Sequence, residues 1–377
     1  MKAWPKVALG DLFDVEKGKV GIMAATPGGF PLVTTGEDFA SHFEPHFSGD
    51  AVCIPLISAT GHGHASLKRL HHIQGEFAVG SILCACINRA SERVLARYAY
   101  YYLTACKDGV LIPLMQGTAN MSMKVTDIVG VEIPLPPLPE QQAIVARLDA
   151  LAEKTRQVEA HLDAVERDAE HLLALRFRDA VADAPLRSMA EVAPLVRREQ
   201  SIDLEGSYPE LGIRSFGKGT FHKPPLSGSE VGTKRLYRIE PGDLLFSNVF
   251  AWEGAIAIAK PEDAGRYGSH RFITCHANTE LTTAEFLRYY FLTDEGLLKI
   301  GDASPGGAGR NRTLGLDKLM AIEVPMPSLA VQQTFDRLQA EIAALKAKHT
   351  AIREANAALI PAMLERVFGV EPTGARQ

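Results

Sequence analysis

A proline-rich segment occurs twice in the chain, and this internal repeat constrains the fold more than any other feature. The first copy reads Val-Glu-Ile-Pro-Leu-Pro-Pro-Leu-Pro-Glu-Gln-Gln over 131–142, and the second reads Ile-Glu-Val-Pro-Met-Pro-Ser-Leu-Ala-Val-Gln-Gln over 322–333. The same offset aligns Asn120 with Asn311, each in a loop that contains glycine. A chain of 377 residues is long enough for two domains, so the repeat predicts two copies of one structural unit.

Each proline-rich segment is predicted to end a globular domain. The Val-Glu-Ile and Ile-Glu-Val stretches that open the segments have the alternation of a final strand. The prolines that follow are expected to prevent ladder pairing and to stop a helix from forming. They would make a stiff, extended connector that directs the chain into the next element.

A long helix is predicted after each connector. Apolar positions recur at alternating steps of four and three residues from Ile144 to Leu172, and again from Phe335 to Met363. This spacing is typical of a heptad seam in a helix of about 35 residues, or about 50 Å. Packing of each helix on its own domain is the alternative, but a core-facing helix usually has a wider apolar stripe. We therefore expect the two helices to pair antiparallel, and His349 and Asn356 at seam positions could fix their register.

The globular segments combine strand patterns with short aromatic helices, so the predicted class is α+β. Buried strands are indicated at 244–247 and near 256, and short helices with a Tyr-Tyr pair at 93–105 and 283–292. The predicted architecture is two repeated mixed α/β domains joined by two long antiparallel coiled-coil helices. The predicted bounds are 1–139 for the first domain, 140–184 for the first helix, 185–329 for the second domain, 330–368 for the second helix and 369–377 for a C-terminal tail.

Composition and charge exclude several classes of protein. The net charge is −5, so any nucleic-acid contact must come from local basic patches and not from bulk positive charge. The five cysteines form no Cys-x-x-Cys pair, which favours reduced thiols over a disulfide framework or a zinc ribbon. The N-terminus lacks the apolar run of a signal peptide, and no stretch is apolar enough to cross a bilayer. We expect a cytoplasmic protein.

Motifs of the common catalytic folds are missing from the sequence. The glycine-rich stretch at 305–309 lacks the Lys-Ser/Thr of a P-loop, no Gly-x-Gly-x-x-Gly follows a strand, and there is no Gly-x-Ser-x-Gly elbow. The Asn/Asp-Pro-Pro-aromatic segment of an adenine methyltransferase is also absent. The chain is therefore predicted to be non-catalytic.

A group of histidines and cysteines in the first domain offers candidate metal ligands. Imidazole and thiolate groups suit zinc, but the ligand spacings are not paired. A polar loop over buried structural cysteines explains the same residues, so no metal site is predicted. The residues concerned are His62, His64, His71, His72, Cys53, Cys84 and Cys86.

Local basic clusters on both domains are the candidate DNA-binding residues. Arginine can bind guanine through two hydrogen bonds and asparagine can bind adenine, while lysine holds phosphates. A single cluster is more often a solvated surface. Recurrence on two repeated domains adds a little support for binding, but acidic and basic residues nearly balance in each domain, so the residues alone leave DNA binding open. The candidates are Lys68, Arg69, Asn120, Arg214, Lys218, Lys234, Arg235, Asn248, Trp252, His270, Arg271, Arg310, Asn311 and Arg312.

Two motifs resemble those of the specificity subunits of type I restriction–modification systems. The first is the Pro/Glu-Gln-Gln junction at 133–142 with Ile144, Val145, Leu148 and Asp149 after it, and the second is Gly-Asp-Leu-Leu-Phe-Ser at 242–247 with Ala-Trp-Glu-Gly-Ala after it. The order globular, helix, globular, helix matches over the whole chain. The second copy departs from the pattern at Ala330 and Val331, where the first has Pro139 and Glu140.

The resemblance implies that each globular segment is a target recognition domain that reads one half of a split DNA site. It implies that the helices form a spacer between the half-sites and dock two methyltransferase subunits, with restriction subunits as further partners. S-adenosylmethionine, ATP and Mg²⁺ are then expected on the partner subunits and no cofactor on this chain. Two alternatives remain open, a protein-binding coiled-coil scaffold and a nuclease or methyltransferase with unrecognised motifs.

Overall fold

A computed structural model describes residues 4–21, 24–60, 64–118, 120–306 and 312–369. The chain forms two compact units. The first unit comprises Met1–Asp163 with His349–Gln377, and the second comprises Ala164–Lys348. Each unit therefore contains one globular part and a portion of each of two long helices.

The globular part of the first unit is built on a mixed sheet with the strand order β2-β7-β5-β6-β3-β4. Helix α1 covers one face, where Val52 and Ile54 of β5 pack with Tyr98, and the alternate residues Ala51 and Cys53 pack on the other face with Phe77. The elements are β1 Lys6–Ala8, β2 Phe13–Lys17, β3 Phe30–Val33, β4 Ala40–His42, β5 Phe47–Pro55, β6 His71–Val79, β7 Leu83–Asn88, α1 Ala96–Val110, α2 Val125–Val129, β8 Glu132–Pro134 and the long helix α3 Leu138–Val181.

The globular part of the second unit has one sheet with the order β10-β13-β16-β11-β12 and another with the order β15-β14-β17. The predicted buried strand at 244–247 is β14, whose residues Leu244 and Phe246 pack with Phe286. The elements are β9 Leu186–Ser188, α4 Met189–Val192, β10 Glu199–Gln200, β11 Ser207–Ile213, β12 Thr220–Ser227, α5 Gly228–Val231, β13 Leu236–Arg238, β14 Leu244–Ser247, β15 Ile256–Ile258, β16 Tyr267–Ser269, β17 Phe272–Cys275, α6 Ala284–Phe291, α7 Asp294–Asp302, α8 Leu316–Met320, β18 Glu323–Pro325 and the long helix α9 Leu329–Phe368.

The proline-rich repeat forms the same junction in both units. In the first unit β8 pairs antiparallel with β1, with Val7 opposite Ile133. In the second unit β18 pairs antiparallel with β9, with Arg187 opposite Val324. Each domain is therefore closed by a ribbon of its first and last strands, and the chain leaves the ribbon directly into a long helix.

The prediction that the prolines prevent ladder pairing is wrong for the first proline of each segment. Pro134 pairs with Lys6 and Pro325 pairs with Leu186, each as the last residue of its strand. A two-stranded ribbon tolerates a proline there because its N–H would otherwise point away from the partner strand. Helix α3 also begins before Pro139, since the first turn of a helix needs no N–H donor.

The first glutamine of each Gln-Gln pair makes the same hydrogen bonds in both units. Gln141 and Gln332 are fully buried. The Oε1 of Gln141 accepts the N–H of Leu95 at 2.9 Å, and that of Gln332 accepts the N–H of Thr283 at 3.1 Å. Each Nε2 donates to the carbonyl of the proline five residues earlier, at 2.8 and 2.9 Å. Both glutamines thus tie the long helix to the residue that caps the N-terminus of the aromatic helix, α1 or α6.

The long helices are confirmed, with 44 residues in α3 and 40 in α9, more than the roughly 35 residues that the apolar spacing indicated. The seam is only partly as expected, because four predicted seam residues are 37–46% exposed. A straight helix drifts by about 20° per heptad, so a strict seven-residue pattern does not stay on one face. The exposed residues are Val158, Leu172, Ile352 and Leu359.

The helices run antiparallel in the first unit. Asn356 is buried and its Nδ2 donates to the carbonyl of Thr155 at 3.0 Å and to Glu159 Oε1 at 2.8 Å. Arg353, one turn earlier on α9, forms ion pairs with Glu159 and with Asp163 further along α3. Residues further along α3 therefore contact residues earlier on α9, and Asn356 bonds a backbone carbonyl of α3 at this register.

The second unit repeats the antiparallel pairing. Lys346 of α9 forms an ion pair with Glu170 of α3 at 2.6 Å. Nearer the start of α9, the ring of Phe335 lies 5.3 Å from the ring of Phe177, which is further along α3. An aromatic cluster at this point joins both helices to Tyr289 of α6. The helix pair is therefore fixed on its globular domain by aromatic packing.

Candidate nucleic-acid interface

Several residues selected from the sequence come together at one end of β14 in the second unit. Asn248 directly follows the strand, and its N–H donates to the carbonyl of Arg271 at 2.8 Å. Its Nδ2 donates to the carbonyl of Leu314 at 2.9 Å, and the N–H of Leu314 donates back to Asn248 at 2.8 Å. Asn248 therefore joins three segments of the chain, which favours a positioning role over direct contact with a base.

Trp252 and Arg312 form a stacked pair beside this junction. Trp252 lies in a short 3₁₀ turn and its Nε1–H donates to the carbonyl of Val249 at 3.0 Å. The guanidinium carbon of Arg312 lies 5.3 Å from the centre of the indole ring, within the range of a cation–π contact. The stack holds the guanidinium plane in place while its N–H groups remain able to bind a phosphate or a guanine edge.

The loop at 214–219 packs against the same 3₁₀ turn. The N–H of Phe216 donates to the carbonyl of Glu253 at 2.9 Å, and the N–H of Gly217 donates to Gly254 at 2.8 Å. Arg214 and Lys218 are exposed on this loop. The structure therefore brings two further candidate residues to the side of the surface where Trp252 lies.

Arg288 stabilises this loop through a hydrogen bond to its backbone. It lies on α6, and its guanidinium donates to the carbonyl of Gly217 at 2.7 Å. Burial lowers the pKa of Arg288, although nearby Glu285 acts in the opposite direction. A half-buried arginine that binds a backbone carbonyl is a structural group, and its charge adds to the positive potential near the loop.

Three other candidates of the second unit lie at one end of the larger sheet. Lys234 and Arg235 precede β13, and His270 follows β16, and all three are exposed. Strands β13 and β16 pair with Leu236 opposite Ser269, so the residues just outside the pair lie at the same end of the two strands. Arg235 is 3.8 Å from Glu199, a loose and exposed ion pair that a phosphate could replace.

The candidates of the first unit lie on two adjoining loops. Lys68 is exposed and Arg69 forms an ion pair with Glu37 at 3.0 Å. Asn120 is exposed in a hairpin-like loop whose next residue, Met121, accepts the N–H of Ser58 at 2.9 Å. The structure therefore places Asn120 beside the polar loop that leads to Lys68. Arg310 and Asn311 fall outside the described residues.

Among the described residues, the candidate histidines and cysteines do not form a group of three donors close enough to hold a metal ion. His72 contacts Asp50 through Nε2 at 2.7 Å and Arg97 through Nδ1 at 3.2 Å. Burial raises the pKa of the Cys53 thiol beyond its usual range, with Cys84 adding to the effect, and buried Cys86 shifts in the same direction. Buried thiols of this kind are typical of structural cysteines in a core. His62 falls outside the described residues.

Among the described residues, three other side chains lie close enough together to be considered as metal ligands. One donor atom from each of His42, Glu44 and His46 lies within 4.8 Å of the others. However, the Nδ1 of His42 accepts the N–H of Thr26 at 3.3 Å. That contact favours a proton on Nε2, which would have to leave before Nε2 could bind a metal.

Sequence reasoning missed two features of the molecule. The first is Phe216, an exposed ring in the loop at 214–219, which Gly217 and Gly219 directly after it could have indicated. The second is a polar contact between Asp149, which follows the heptad residue Leu148, and the globular domain. Asp149 Oδ1 accepts the hydroxyl of Tyr101 at 2.5 Å and Arg97 Nε at 2.9 Å.

Residues 1–167 match the family model described as the type I restriction modification DNA specificity domain. This region of the chain belongs to the type I restriction–modification specificity family. The specificity subunits of that family are a non-catalytic class of protein. The second globular domain lies outside the matched residues but repeats the ribbon, the buried glutamine and the aromatic helix of the first. No curated relative matches the chain significantly.

Solved structures with the specificity-subunit fold cover the chain almost completely. The S subunit of a type I system from M. genitalium is 15% identical over 96% of both chains, with a TM-score of 0.50. The HsdS subunit from Thermoanaerobacter tengcongensis is 18% identical over 98% of this chain and 97% of that one, with a TM-score of 0.55. A structure from work on assembly and conformational transition of the type I R-M system is 17% identical over 98% of both chains, with a TM-score of 0.62. At these identities the likeness concerns the fold.

Among the described residues, no helix of the chain is both long and apolar enough to cross a membrane. The long helices α3 and α9 are the longest, and both carry charged residues throughout.

Proposed function

We propose that this chain reads a bipartite duplex DNA sequence, with one half bound by each globular domain. The main support for this proposal is the duplication of the globular domain. Each unit has its own ribbon junction, its own buried glutamine and its own exposed cationic loops, so each has the parts needed to bind one half-site. Two domains on one chain would read two half-sites separated by bases that neither contacts.

The chemistry of the surface around Trp252 supports base reading in the second domain. The stacked Arg312 offers the planar fork that suits guanine O6 and N7. Arg271 is bonded to Asn248 and Lys218 lies on the loop bonded to the 3₁₀ turn, and both are exposed and can bind phosphates. Arg310 and Asn311 are proposed to belong to the same surface, because they immediately precede Arg312 in the sequence.

The two domains would contact DNA through the cationic and polar residues selected from the sequence, with Asn248 positioning the segments of Arg271 and Leu314. In the first domain the contact residues are Lys68, Arg69 and Asn120. In the second domain they are Arg214, Lys218, Lys234, Arg235, Trp252, His270, Arg271, Arg310, Asn311 and Arg312.

The helix pair is proposed to dock two methyltransferase subunits. In the second unit a groove of about 750 Å³ lies between the end of α3 and the start of α9, lined in part by Val331, Phe335 and Leu338. Val331 is 40% exposed there. In the first unit Ile352 and Leu359 are exposed seven residues apart on one side of α9. Exposed apolar rows on a helix pair are typical of surfaces that another protein covers.

We propose that the assembled complex is a site-specific adenine methyltransferase, and a deoxyribonuclease when restriction subunits join it. S-adenosylmethionine, ATP and Mg²⁺ would be bound by the partner subunits and not by this chain. A DNA partner in the cell interior also leads us to propose a cytoplasmic location.

Methylation sequencing of the host genome tests the proposed function. We expect a split motif with a methylated adenine in each half, which should disappear when the gene for this chain is deleted and return when it is restored. Binding of the purified complex to a duplex with that motif should weaken steeply with added salt. A genome without such a motif in a strain that expresses the chain and a methyltransferase partner would contradict the proposal.

The two other candidate functions predict different results. A protein-binding scaffold would assemble with its partner but would give no salt-sensitive binding to duplex DNA. An enzyme with unrecognised motifs would bind S-adenosylmethionine, or would cleave DNA with a divalent metal, as the purified chain alone.

A further inference from the structure

Phe216 combines exposure with an unfavourable backbone conformation. Its side chain is 74% exposed, more than that of any other large hydrophobic residue among those described. Its φ is 60°, and no other non-glycine residue of the described part has a positive φ. For a residue with a bulky side chain this region is sterically costly, and folding stability alone would favour glycine or asparagine here. The ring therefore neither packs in the core nor suits its own backbone.

The surrounding structure holds Phe216 firmly in this conformation. The N–H groups of Phe216 and Gly217 donate to the 3₁₀ turn at Glu253 and Gly254, and half-buried Arg288 binds the carbonyl of Gly217. Gly254 has a φ of 75°, and a Cβ there would lie 3.4 Å from the backbone of Phe216. Strained residues that are held so completely are concentrated at functional sites, where the strain presents a side chain in a defined position.

The position of the ring is next to the proposed DNA surface. Its backbone is bonded to the same 3₁₀ turn that contains Trp252, which carries the stacked Arg312. The Nζ of Lys218 lies 5.8 Å from the centre of the Phe216 ring, and Arg214 is exposed on the same loop. A protruding apolar ring with cationic groups beside it matches a wedge that enters a base stack while its neighbours bind phosphates.

We propose that Phe216 inserts between two adjacent base pairs of the DNA half-site bound by the second domain and partly unstacks them. This inference rests on the proposed function, because it assigns a further specificity-determining residue to the same surface. Insertion removes the exposed ring from water and replaces lost base stacking with base–phenyl contact. Steps that unstack easily, such as TA and CA, would then be preferred at the insertion point even though no hydrogen bond reads them.

The test uses the complex with its methyltransferase subunits and duplexes that carry the methylated motif. The fluorescent base 2-aminopurine is placed at successive positions of the half-site, and its fluorescence rises where a base is unstacked. The variants are Phe216→Gly, which removes the ring and relieves the backbone, and Phe216→Leu, which keeps an apolar wedge. Leu298→Ala is the matched control, since Leu298 is 66% exposed on α7 and carries no proposed contact.

The wild-type complex should give one step with a strong fluorescence rise. Phe216→Gly should abolish that rise and weaken binding to the motif by about tenfold or more, since stacking of a base on an aromatic ring contributes about 1–3 kcal/mol, where 1.4 kcal/mol is tenfold. Its melting temperature should be equal to or above that of the wild type, because glycine suits the backbone. Phe216→Leu should retain part of the rise, and Leu298→Ala all of it.

The following results would overturn the inference. An unchanged rise in Phe216→Gly means that the ring is not the wedge, and loss of methyltransferase assembly in that variant means that the ring contacts the partner. If Phe216→Gly does not fold, the same readings are taken on Phe216→Leu, where a rise equal to that of the control counts against insertion. If the wild-type complex neither binds nor methylates a split motif, the proposed function itself is wrong and the wedge is withdrawn with it.

Discussion

At the scale of single residues, the stacked pair of Trp252 and Arg312 concentrates the proposed DNA chemistry. The indole ring restricts the guanidinium, so less conformational entropy is lost when its N–H groups bind a base or a phosphate. Replacing Arg312 by alanine should weaken binding to the methylated motif by about 1–3 kcal/mol if it contacts a base. It should lower the slope of log affinity against log salt by about one if it contacts a phosphate.

The Arg312→Ala measurement needs two controls. Lys260→Ala removes an exposed cation of the same domain whose partner is Glu262, and its effect on affinity should be small. Assembly with the methyltransferase is measured on the same samples. If Arg312→Ala reduces assembly but leaves the DNA affinity of the assembled complex unchanged, then Arg312 belongs to the subunit interface and its DNA assignment is wrong.

A buried carboxylate sets part of the pH dependence of the second domain. Burial raises the pKa of Asp263, but its hydrogen bonds with the N–H of Lys260, the hydroxyl of Thr220 and the ring of His222 outweigh this and leave the pKa below its ordinary value. Since the folded-state pKa is below the unfolded one, ionisation favours the folded state at neutral pH. That contribution is lost as the pH falls through the folded-state pKa.

Asp263→Asn should therefore lower the free energy of unfolding by about 1–3 kcal/mol at pH 7, because it leaves buried donors without a good acceptor. The difference from the wild type should shrink as the pH falls below the ordinary range of a carboxyl group. Urea unfolding followed from pH 7 down to about pH 2 measures this. The neighbouring Glu262→Gln, which is exposed, should show a small effect throughout this range, and an equal loss in both variants would contradict the assignment.

At the scale of elements, Asn356 determines how α3 and α9 are aligned. Its side chain contacts the backbone of Thr155 and the carboxylate of Glu159, and both bonds depend on one register. Asn356→Leu should leave stability unchanged or raise it by up to about 1 kcal/mol, because an apolar side chain suits the seam, but it should relax the register. Cysteine pairs placed at matched and at one-heptad-shifted positions report this by crosslinking. Crosslinks at the matched pair alone in Asn356→Leu would show that Asn356 does not determine the register.

The helix pair is also predicted to set the distance between the half-sites. Removing one matched heptad from each helix should shorten the helix pair by about 10 Å. The spacer of the methylated motif should then become shorter by about three base pairs at 3.4 Å each. Methylation sequencing of a strain with the shortened chain measures the spacer. An active complex with an unchanged spacer would contradict the idea, and a variant with a heptad exchanged for one of equal length serves as the control.

At the scale of the whole molecule, the duplication predicts independent reading by the two domains. Each domain is closed by its own ribbon and carries its own buried glutamine, so exchange of one should leave the other intact. Replacing 185–329 by the corresponding segment of a related specificity subunit should change one half of the methylated motif only. A folded hybrid that still assembles with methyltransferase subunits but has lost both half-specificities would count against modular reading.

The sequence by itself determined the two copies, the class of fold and the long helices. These depend on local signals, namely a proline pattern, a Gln-Gln pair and apolar residues at helical spacing, which act within a few turns of the chain. The same local reasoning failed where neighbours matter. It assigned Val158 and Leu172 to the seam, because a heptad count ignores the drift of a straight helix against its partner.

Tertiary structure alone decided how the candidate residues are grouped. Asn248 bonds both Arg271 and Leu314, which are distant in the sequence. Arg312 lies over the ring of Trp252, 60 residues earlier in the chain. The tertiary structure also forced Phe216 into a conformation that its own residue type disfavours. Contacts between distant segments override local preference at such sites, because several hydrogen bonds together outweigh the strain of one residue.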